Sequence, residues 1–304
     1  MKPRRSTLSV PGHVEKMHHK ARLSHADVIM LDLEDSVPLE TKEIARETVA
    51  RSLLALDWRD KIVTARINGL DTPFGYRDLL VLTEEAGHRL DSVVVPKIDH
   101  SGDIHFVDRM LNGIEMNKHI TNRIGIEAII ESAQGLEKVS EISGASPRLK
   151  TLVFGVADYS SSIGARLVSL SGHGEMEEDH YPGHRWNFVM SRLVMAAKAH
   201  GLMAIDAPYG NFKDPGGLRR AGVTACALGF DGKWAIHPDQ LEIINAVFSP
   251  TPEDIDRARR ILEAYDAAKA EGRGAVSVDG RMIDQATVRL ARQLWENAHH
   301  LNLL

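Results

Sequence analysis

The chain has 304 residues with 42 acidic against 37 basic side chains, a net charge of −5, and is long enough to bury a full core as one large domain or two modest ones. That balance supplies no basic field for nucleic acid, so any anionic ligand must be held by local positive groups. The single cysteine, Cys226, excludes a disulfide framework and a cysteine-based metal cluster, and its setting in GVTACALGF points to a small core residue rather than a nucleophile.

The N-terminus, MKPRRSTLSVPG, passes from basic residues straight into a strand without the apolar core of a signal peptide, and no stretch approaches the roughly 20 apolar residues of a membrane span. A cytoplasmic protein with no membrane partner is expected. Strand-like runs then follow at Ser6–Val10, Asp27–Leu33, Ile62–Ile67, Ser92–Val95, Ile124–Ile130, Leu152–Val156, Leu202–Ile205 and Val223–Leu228. Most are spaced by about 30 residues with a helical pattern between them, the length of a βα unit. Eight such units predict an α/β fold of the (β/α)8 TIM barrel type, with the active site at the C-terminal strand ends. Special residues stand where that fold wants them: Pro11-Gly12, Glu34-Asp35, Arg66 to Asn68, Pro96-Lys97, Glu131, Asp158, Asp206 and Asp231-Gly232. An open doubly wound sheet is the competitor, but it would need a glycine-rich first turn for a dinucleotide, and PGHVEK is not one.

The most informative stretch is RIGIEAIIESAQG, residues 123–135. Ile124, Ile126, Ala128, Ile129 and Ile130 make the near-continuous apolar run of a parallel strand covered on both faces. A bare carboxylate at its end, Glu131, would cost several kcal/mol to bury unpaired. It therefore needs a partner or a cation. TLVFGVADY, residues 151–159, delivers Asp158 in the same way. Two neighbouring carboxylates completed by water suit a hard divalent ion such as Mg²⁺, with Mn²⁺ as a substitute. The competing reading is that either acid caps the helix that follows it. Glu127 shares the strand face of Glu131 but lies roughly 13 Å deeper at 3.3 Å per residue, so it reads as a structural acid with an unidentified buried partner.

Two segments fall outside the repeat. Ser169–Arg185 is polar and rich in Gly and His, as long loops over catalytic faces are; its His173, His180 and His184 are spaced too irregularly for a zinc site. After Pro250, Thr251-Pro252-Glu253-Asp254 starts a helix with Thr at the N-cap and Pro at the first position, and Ile255, Ala258, Ile261, Leu262 and Tyr265 share one face. Beyond a break at Glu271-Gly272-Arg273-Gly274, a hairpin-like piece leads to a last helix. The expected division is a barrel over residues 1–249 and a small helical extension over 250–304 that packs on its own or a neighbouring subunit.

DVIMLDLEDSVP (27–38), ARINGLDTPFGYRDL (65–79), VVVPKI (93–98), IEAIIESAQGL (126–136), LVFGVADYS (152–160), GKWAIHPDQ (232–240) and DGRMIDQATVRLA (279–291) resemble, in order and over nearly the whole chain, the motifs of the citrate lyase β-subunit-like family. That resemblance implies a Mg²⁺-dependent acyl-CoA lyase on a (β/α)8 barrel with a C-terminal extension. FGVADYS and the run from Tyr181 to Gly217 are most similar to the malyl-CoA and β-methylmalyl-CoA lyases within it; citrate lyase β-subunits more often carry Glu-Asp where this chain has Ala157-Asp158.

Residue by residue, the resemblance matches Glu131 and Asp158 to the metal ligands and Arg66 to the arginine that grips the oxo-acid carboxylate, a task for which its planar fork suits it. Glu34 and Asp35 would hold metal-bound waters, or one of them cap the next helix, and Pro96 and Lys97 belong on the same substrate-binding side. For coenzyme A, present as part of the substrate, the resemblance gives Lys20, the backbone of Val10, Pro11 and Gly12, and Ile236 with His237; bracing of its turn is the equal alternative for His237. Many relatives place an arginine just after Pro-Gly where this chain has Val14; Lys16 is either its replacement or a solvated helix charge. Asp284 matches the catalytic acid–base residue, carried on the extension into a neighbouring subunit's site, whereas its spacing alone reads as the N-cap of the last helix.

The expected reaction is reversible C–C cleavage of L-malyl-CoA or β-methylmalyl-CoA to glyoxylate and acetyl-CoA or propionyl-CoA. The partners are a CoA thioester and a glyoxylate-like oxo acid, in a homo-oligomer, trimer or hexamer, with shared sites. Citramalyl-CoA cleavage, malyl-CoA hydrolysis and a citrate lyase β-subunit role are the near alternatives. From other classes, a CoA-independent hydroxy-oxo-acid aldolase would need neither Lys20 nor the Asp284 extension, and a non-catalytic subunit would be inactive alone.

Overall fold

A computed structural model describes residues 2–165, 185–272 and 276–304. The Gly- and His-rich stretch with His173, His180 and His184, and Arg273-Gly274 of the hydrophilic break, lie outside the described residues. By contact density the chain divides into two compact units, Arg4–Asn245 and Ala246–Leu304, the latter with the extreme N-terminus.

The first unit is a closed barrel of eight parallel strands in sequence order: β1 Ser6–Pro11, β2 Val28–Asp32, β3 Ile62–Arg66, β4 Ser92–Val95, β5 Gly125–Ile130, β6 Leu149–Phe154, β7 Met203–Asp206 and β8 Gly232–Ala235, with β8 pairing back onto β1. It is a (β/α)8 TIM barrel. Strands β2, β3, β4 and β5 are buried at every position, as parallel strands covered by helices must be.

The alternation of side chains sorts the barrel interior into layers. Met30, Val94, Ile129, Val153, Ile205 and Trp234 form one apolar cluster across the middle. Two residues earlier on β5 lies Glu127, and its partners are now identified. Arg4 Nη1 donates to Oε1 at 2.6 Å, the Ser92 hydroxyl donates to the same oxygen, and Thr151 donates to Oε2 at 3.2 Å. This satisfied cluster closes the N-terminal end. Two residues beyond Met30 and Ile129 stand Asp32 and Glu131, with Arg66 the register partner of Asp32, at the C-terminal mouth.

Two expectations need correction. Val223–Leu228 is no strand; it is the last part of the helix Pro215–Leu228, started by Asp214, whose side chain accepts from the Gly217 N–H, and stopped at Gly229 with φ 99°. The eighth strand is the four-residue GKWA, so Asp231-Gly232 stands at its beginning and not at its C-terminal end. The same helix overturns the buried reading of Cys226. It is exposed, because the helix turns Leu218, Gly222 and Ala225 inward and leaves Cys226 one step off that face.

In the second unit, helix Pro252–Ala270 opens with a reciprocal Thr251–Asp254 capping box and Pro252 at its first position. Strands Val276–Val278 and Arg281–Ile283 form an antiparallel hairpin, followed by helix Gln285–His300. Tyr265, Ile283 and Val288 make its small core, with Ile261 and Leu262 packed against it.

Candidate active site

Strand ends and the first turns after them build the mouth of the barrel. Asp32 and Arg66 are register partners on β2 and β3, and the guanidinium meets Asp32 with two parallel bonds, Nε to Oδ1 at 2.6 Å and Nη2 to Oδ2 at 2.7 Å. The Ser36 hydroxyl and the Glu34 and Ser36 amides also donate to Asp32. Burial alone would push Asp32 up, but the charge and bonds of Arg66 outweigh it and hold the carboxyl below its usual range; Arg66 is raised in turn. Asp32 was not singled out from the sequence. Its position two residues after inward-facing Met30 was the available signal.

This geometry redefines Arg66. The Nε–Nη2 edge expected for an oxo-acid carboxylate is taken by Asp32, and Nη1 points among acids, 3.3 Å from Asp35 Oδ2 and 2.7 Å from Glu34 Oε2. The last distance is an ion-pair contact without hydrogen-bond alignment, so buried Glu34 Oε2 has a cationic neighbour but no hydrogen bond. Arg66→Lys keeps a charge but cannot keep both bonds to Asp32. It is expected to lower stability by about 1–3 kcal/mol, measured by chemical denaturation, together with its effect on turnover; unchanged stability would mean that Asp32 re-pairs without the fork.

Glu131 follows β5 directly. It does not cap the next helix, because Ser132 does, accepting from the Gly135 N–H. Instead its Oε1 accepts from the Lys97 backbone N–H at 2.7 Å. Lys97, just after Pro96, holds φ at 54°, a left-handed conformation that costs a non-glycine residue about 1–2 kcal/mol. Its Nζ lies 3.6 Å from Glu34 Oε1. Asp158 departs from expectation in one respect. Strand β6 ends at Phe154, and Asp158 sits in the first turn of helix Val156–Ser162, exposed and without a capping role. Glu131, Asp158, Lys97, Ser132, Leu70 and Asp71 nevertheless line one open cleft of about 470 Å³.

The acids of this mouth, Asp32, Glu34, Asp35, Glu131 and Asp158, outnumber the nearby cations Arg66, Lys97 and Lys42, and Lys42 spends its ammonium on the carbonyls of Leu33 and Glu34. Burial, then the charges of Glu34 and Asp158, push Glu131 up to about 8; burial, against the pull of Arg66, pushes Glu34 up to about 7. Uncompensated carboxylates at a barrel mouth fit a divalent cation. Among the described residues no group of three or more His, Cys, Asp or Glu forms a cage, so such an ion would rest on Glu131, Asp158 and solvent, which Mg²⁺ accepts.

A match to the HpcH/HpaI aldolase/citrate lyase family model spans residues 5–238. The chain belongs to that family. Its relatives in the HpcH/HpaI aldolase/citrate lyase family include an L-malyl-CoA/β-methylmalyl-CoA lyase of Cereibacter sphaeroides, 39% identical with 99% of this chain and 96% of the relative covered. A (3S)-malyl-CoA thioesterase of the same organism is 34% identical, covering 96% and 93%. Among solved structures, protein CitE of Mycobacterium tuberculosis in complex with magnesium, acetoacetate and coenzyme A superposes with a TM-score of 0.75 at 27% identity, over 98% of both chains.

The remaining residues singled out by the HpcH/HpaI resemblance fall into three places. Val10 and Pro11 end β1 and Gly12 follows it, next to Ile236 and His237, which follow its pairing partner β8. Gly12 is required there: its N–H donates to Asp32 O at 2.7 Å, and a Cβ would stand 2.5 Å from that oxygen. His237 braces its turn, with Nδ1 accepting from the Asp239 N–H at 3.3 Å and its ring stacked on Phe212 at 4.7 Å. Lys16 and Lys20 are exposed on helix Glu15–Ala21. In the second unit, Asp284 caps helix Gln285–His300, accepting from the N–H and the hydroxyl of Thr287 at 2.9 and 3.1 Å. The capping bonds hold its carboxyl below the usual range.

One residue that sequence reasoning passed over fixes the Val10–Gly12 turn. His18 is fully buried, with Nδ1 2.8 Å from Ser52 Oγ and Nε2 3.1 Å from Pro11 O. Burial lowers its pKa from 6.5, so the unfolded chain binds the proton more readily than the fold does. Stability from neutral His18 is therefore complete above pH 6.5 and declines as pH falls below it. Denaturation at pH 7.5 and 5.5 should show a larger acid loss for wild type than for His18→Asn; equal losses would remove His18 as the cause.

Proposed function

We propose that the chain is a Mg²⁺-dependent acyl-CoA lyase that cleaves L-malyl-CoA or β-methylmalyl-CoA to glyoxylate and acetyl-CoA or propionyl-CoA, reversibly. The observation that carries this reading is the cleft holding both Glu131 and Asp158 in a chain 39% identical, end to end, to a lyase of that name. As a carbon–carbon lyase acting on a CoA thioester, it must stabilise charge at both ends of the breaking bond. The hydroxyl gives up its proton and becomes the aldehyde oxygen, while the electrons of the C2–C3 bond pass into the enolate of the acyl-CoA.

Glu131 and Asp158 would hold the ion, and Lys97 fixes the carboxylate of Glu131 through its backbone N–H. Bound there, Mg²⁺ supplies Lewis-acid stabilisation and a template for the hydroxy-acid end. Arg66, held against Asp32, keeps a permanent positive charge beside the substrate carboxylate. Glu34 and Asp35 order solvent around the site. The turns Val10–Gly12 and Ile236–His237 and the side chain of Lys20 carry the coenzyme A portion. Asp284, kept ionised by its capping bonds, removes the acyl proton in the condensing direction and returns it in cleavage. It belongs to a neighbouring subunit of a homo-oligomer, and the enzyme acts in the cytoplasm. Among the described residues no helix is long and apolar enough to cross a membrane.

The test is purified protein with Mg²⁺, glyoxylate and acetyl-CoA or propionyl-CoA, with products identified by mass. Condensation to the corresponding 3-hydroxyacyl-CoA is expected, lost on exhaustive chelation and restored by Mg²⁺ or Mn²⁺. Full activity after chelation would remove the metal from the reading. The thioesterase relative at 34% identity supports hydrolysis as the second reading, recognised by free malate and CoA from malyl-CoA.

A further inference from the structure

Gly155 follows β6 and has φ −98° and ψ 80°, angles with negative φ that do not by themselves call for glycine. What excludes a side chain there is Glu131. A Cβ on Gly155 would stand 2.4 Å from Glu131 Cβ, 2.5 Å from Glu131 Oε2 and 3.0 Å from Ile129 Cγ2. Neither partner can easily retreat. β5 and β6 are in register at Ile130 and Phe154, and the Gly155 N–H donates to Ile130 O at 3.1 Å. The contact with Glu131 Cβ is also beyond relief by rotating the side chain, since Cβ does not move with χ angles. On the opposite side of the carboxylate, the left-handed Lys97 presents its N–H to Oε1.

We propose that Gly155 is a positioning residue for the metal: its missing side chain is the seat in which the Glu131 carboxylate stands, pressed there by the Lys97 N–H. Gly155 itself touches neither the ion nor the substrate. It fixes where one of the two carboxylates points, and so sets how far apart the two ligands stand. The inference rests on the reading of Glu131 as a ligand, and the experiment separates the two.

Mn²⁺ binding is followed by the electron paramagnetic resonance of the free ion for wild type, Glu131→Gln and Gly155→Ala. Thermal denaturation is compared for Gly155→Ala in the wild-type and the Glu131→Gly backgrounds. Gly155→Ala is expected to weaken Mn²⁺ binding roughly 10–100-fold, the range for groups that orient a ligand, while binding of coenzyme A is kept. Its cost in melting temperature should shrink markedly once Glu131→Gly has removed the two closest contacts, leaving only that with Ile129 Cγ2 at 3.0 Å. Wild-type Mn²⁺ affinity in folded Gly155→Ala, or the same thermal cost in both backgrounds, would overturn the proposal. If Gly155→Ala alone does not fold, a folded Gly155→Ala/Glu131→Gly double variant supports it and an unfolded one overturns it. Equal Mn²⁺ binding by wild type and Glu131→Gln sinks the metal reading instead, and the thermal comparison still reports whether Gly155 makes room for Glu131.

Discussion

Glu131→Gln is expected to abolish turnover, by about a thousandfold or more, while leaving the metal-free fold as stable as wild type or slightly more so. The loss in rate follows from removing a hard anionic ligand from an ion that supplies several kcal/mol of charge stabilisation. The retained stability follows from the site itself. Glu131 is 6% exposed, and burial followed by the charges of Glu34 and Asp158 already pushes its carboxyl up to about 8, so the fold draws little from its negative charge at neutral pH. Glutamine keeps the carbonyl that accepts from the Lys97 N–H. Two measurements check this together. Mg²⁺ should raise the melting temperature of wild type but not of Glu131→Gln, and the variant without metal should melt no lower than wild type. A variant that still gains stability from Mg²⁺ and turns over at a near-normal rate would mean the ion sits elsewhere. Asp158→Asn should match it in turnover with even less effect on the fold, since Asp158 is exposed.

Glu131 could be found in the sequence because it breaks a rule that its neighbours obey. An acid at the end of a doubly covered strand that is apolar but for Glu127 is locally anomalous, and the anomaly needs no knowledge of the rest of the fold. Asp32 and Glu127 were harder for the opposite reason. Each is made tolerable by a distant partner: Glu127 by Arg4, 123 positions away, and Asp32 by Arg66, 34 positions away. Those pairings exist only once the barrel has closed, so the sequence shows the acids and conceals what satisfies them. This is also why the sequence, which matches Arg66 to a substrate carboxylate by resemblance, does not show that its Nε–Nη2 edge is bonded to Asp32.

The eighth strand was concealed by a similar compensation. GKWA carries a lysine at a fully buried position, and Lys233 is accommodated by Asp206 Oδ2 and Ala207 O, both at 2.6 Å. Without that knowledge the apolar run Val223–Leu228 is the better strand, since a run of that length fits a buried strand and a helix equally. The deciding signals were outside the run, in Asp214-Pro215 before it and Gly229 after it. The C-terminal unit was more transparent because its determinants are local: the Thr251–Asp254 box and the Asp284 cap each lie within one turn of the helix they start.

The proposed sharing of the site between subunits makes the second large prediction. Asp284 caps a helix through Thr287 and is wholly exposed in its own unit, so its cap accounts for the fold of the extension but not for a carboxylate matched to the family's acid–base residue. Asp284→Asn keeps a capping oxygen and should melt close to wild type. It should also bind Mn²⁺ and coenzyme A, yet lose turnover by roughly 10²–10⁴-fold, the range for a positioned acid–base group. Arg66→Ala should be inactive for a different reason, with Asp32 left buried and unpaired. If Asp284 serves a neighbouring barrel, dissociating and reassembling the two variants together must create some sites with Arg66 from one chain and Asp284 from the other. Activity regained from two inactive parents, in proportion to the mixed oligomers formed, is the expected result. Verified mixed oligomers without activity would confine Asp284 to its own barrel, because every chain would then carry one of the two defects at its own site, and an active Asp284→Asn parent would leave Asp284 the capping role alone.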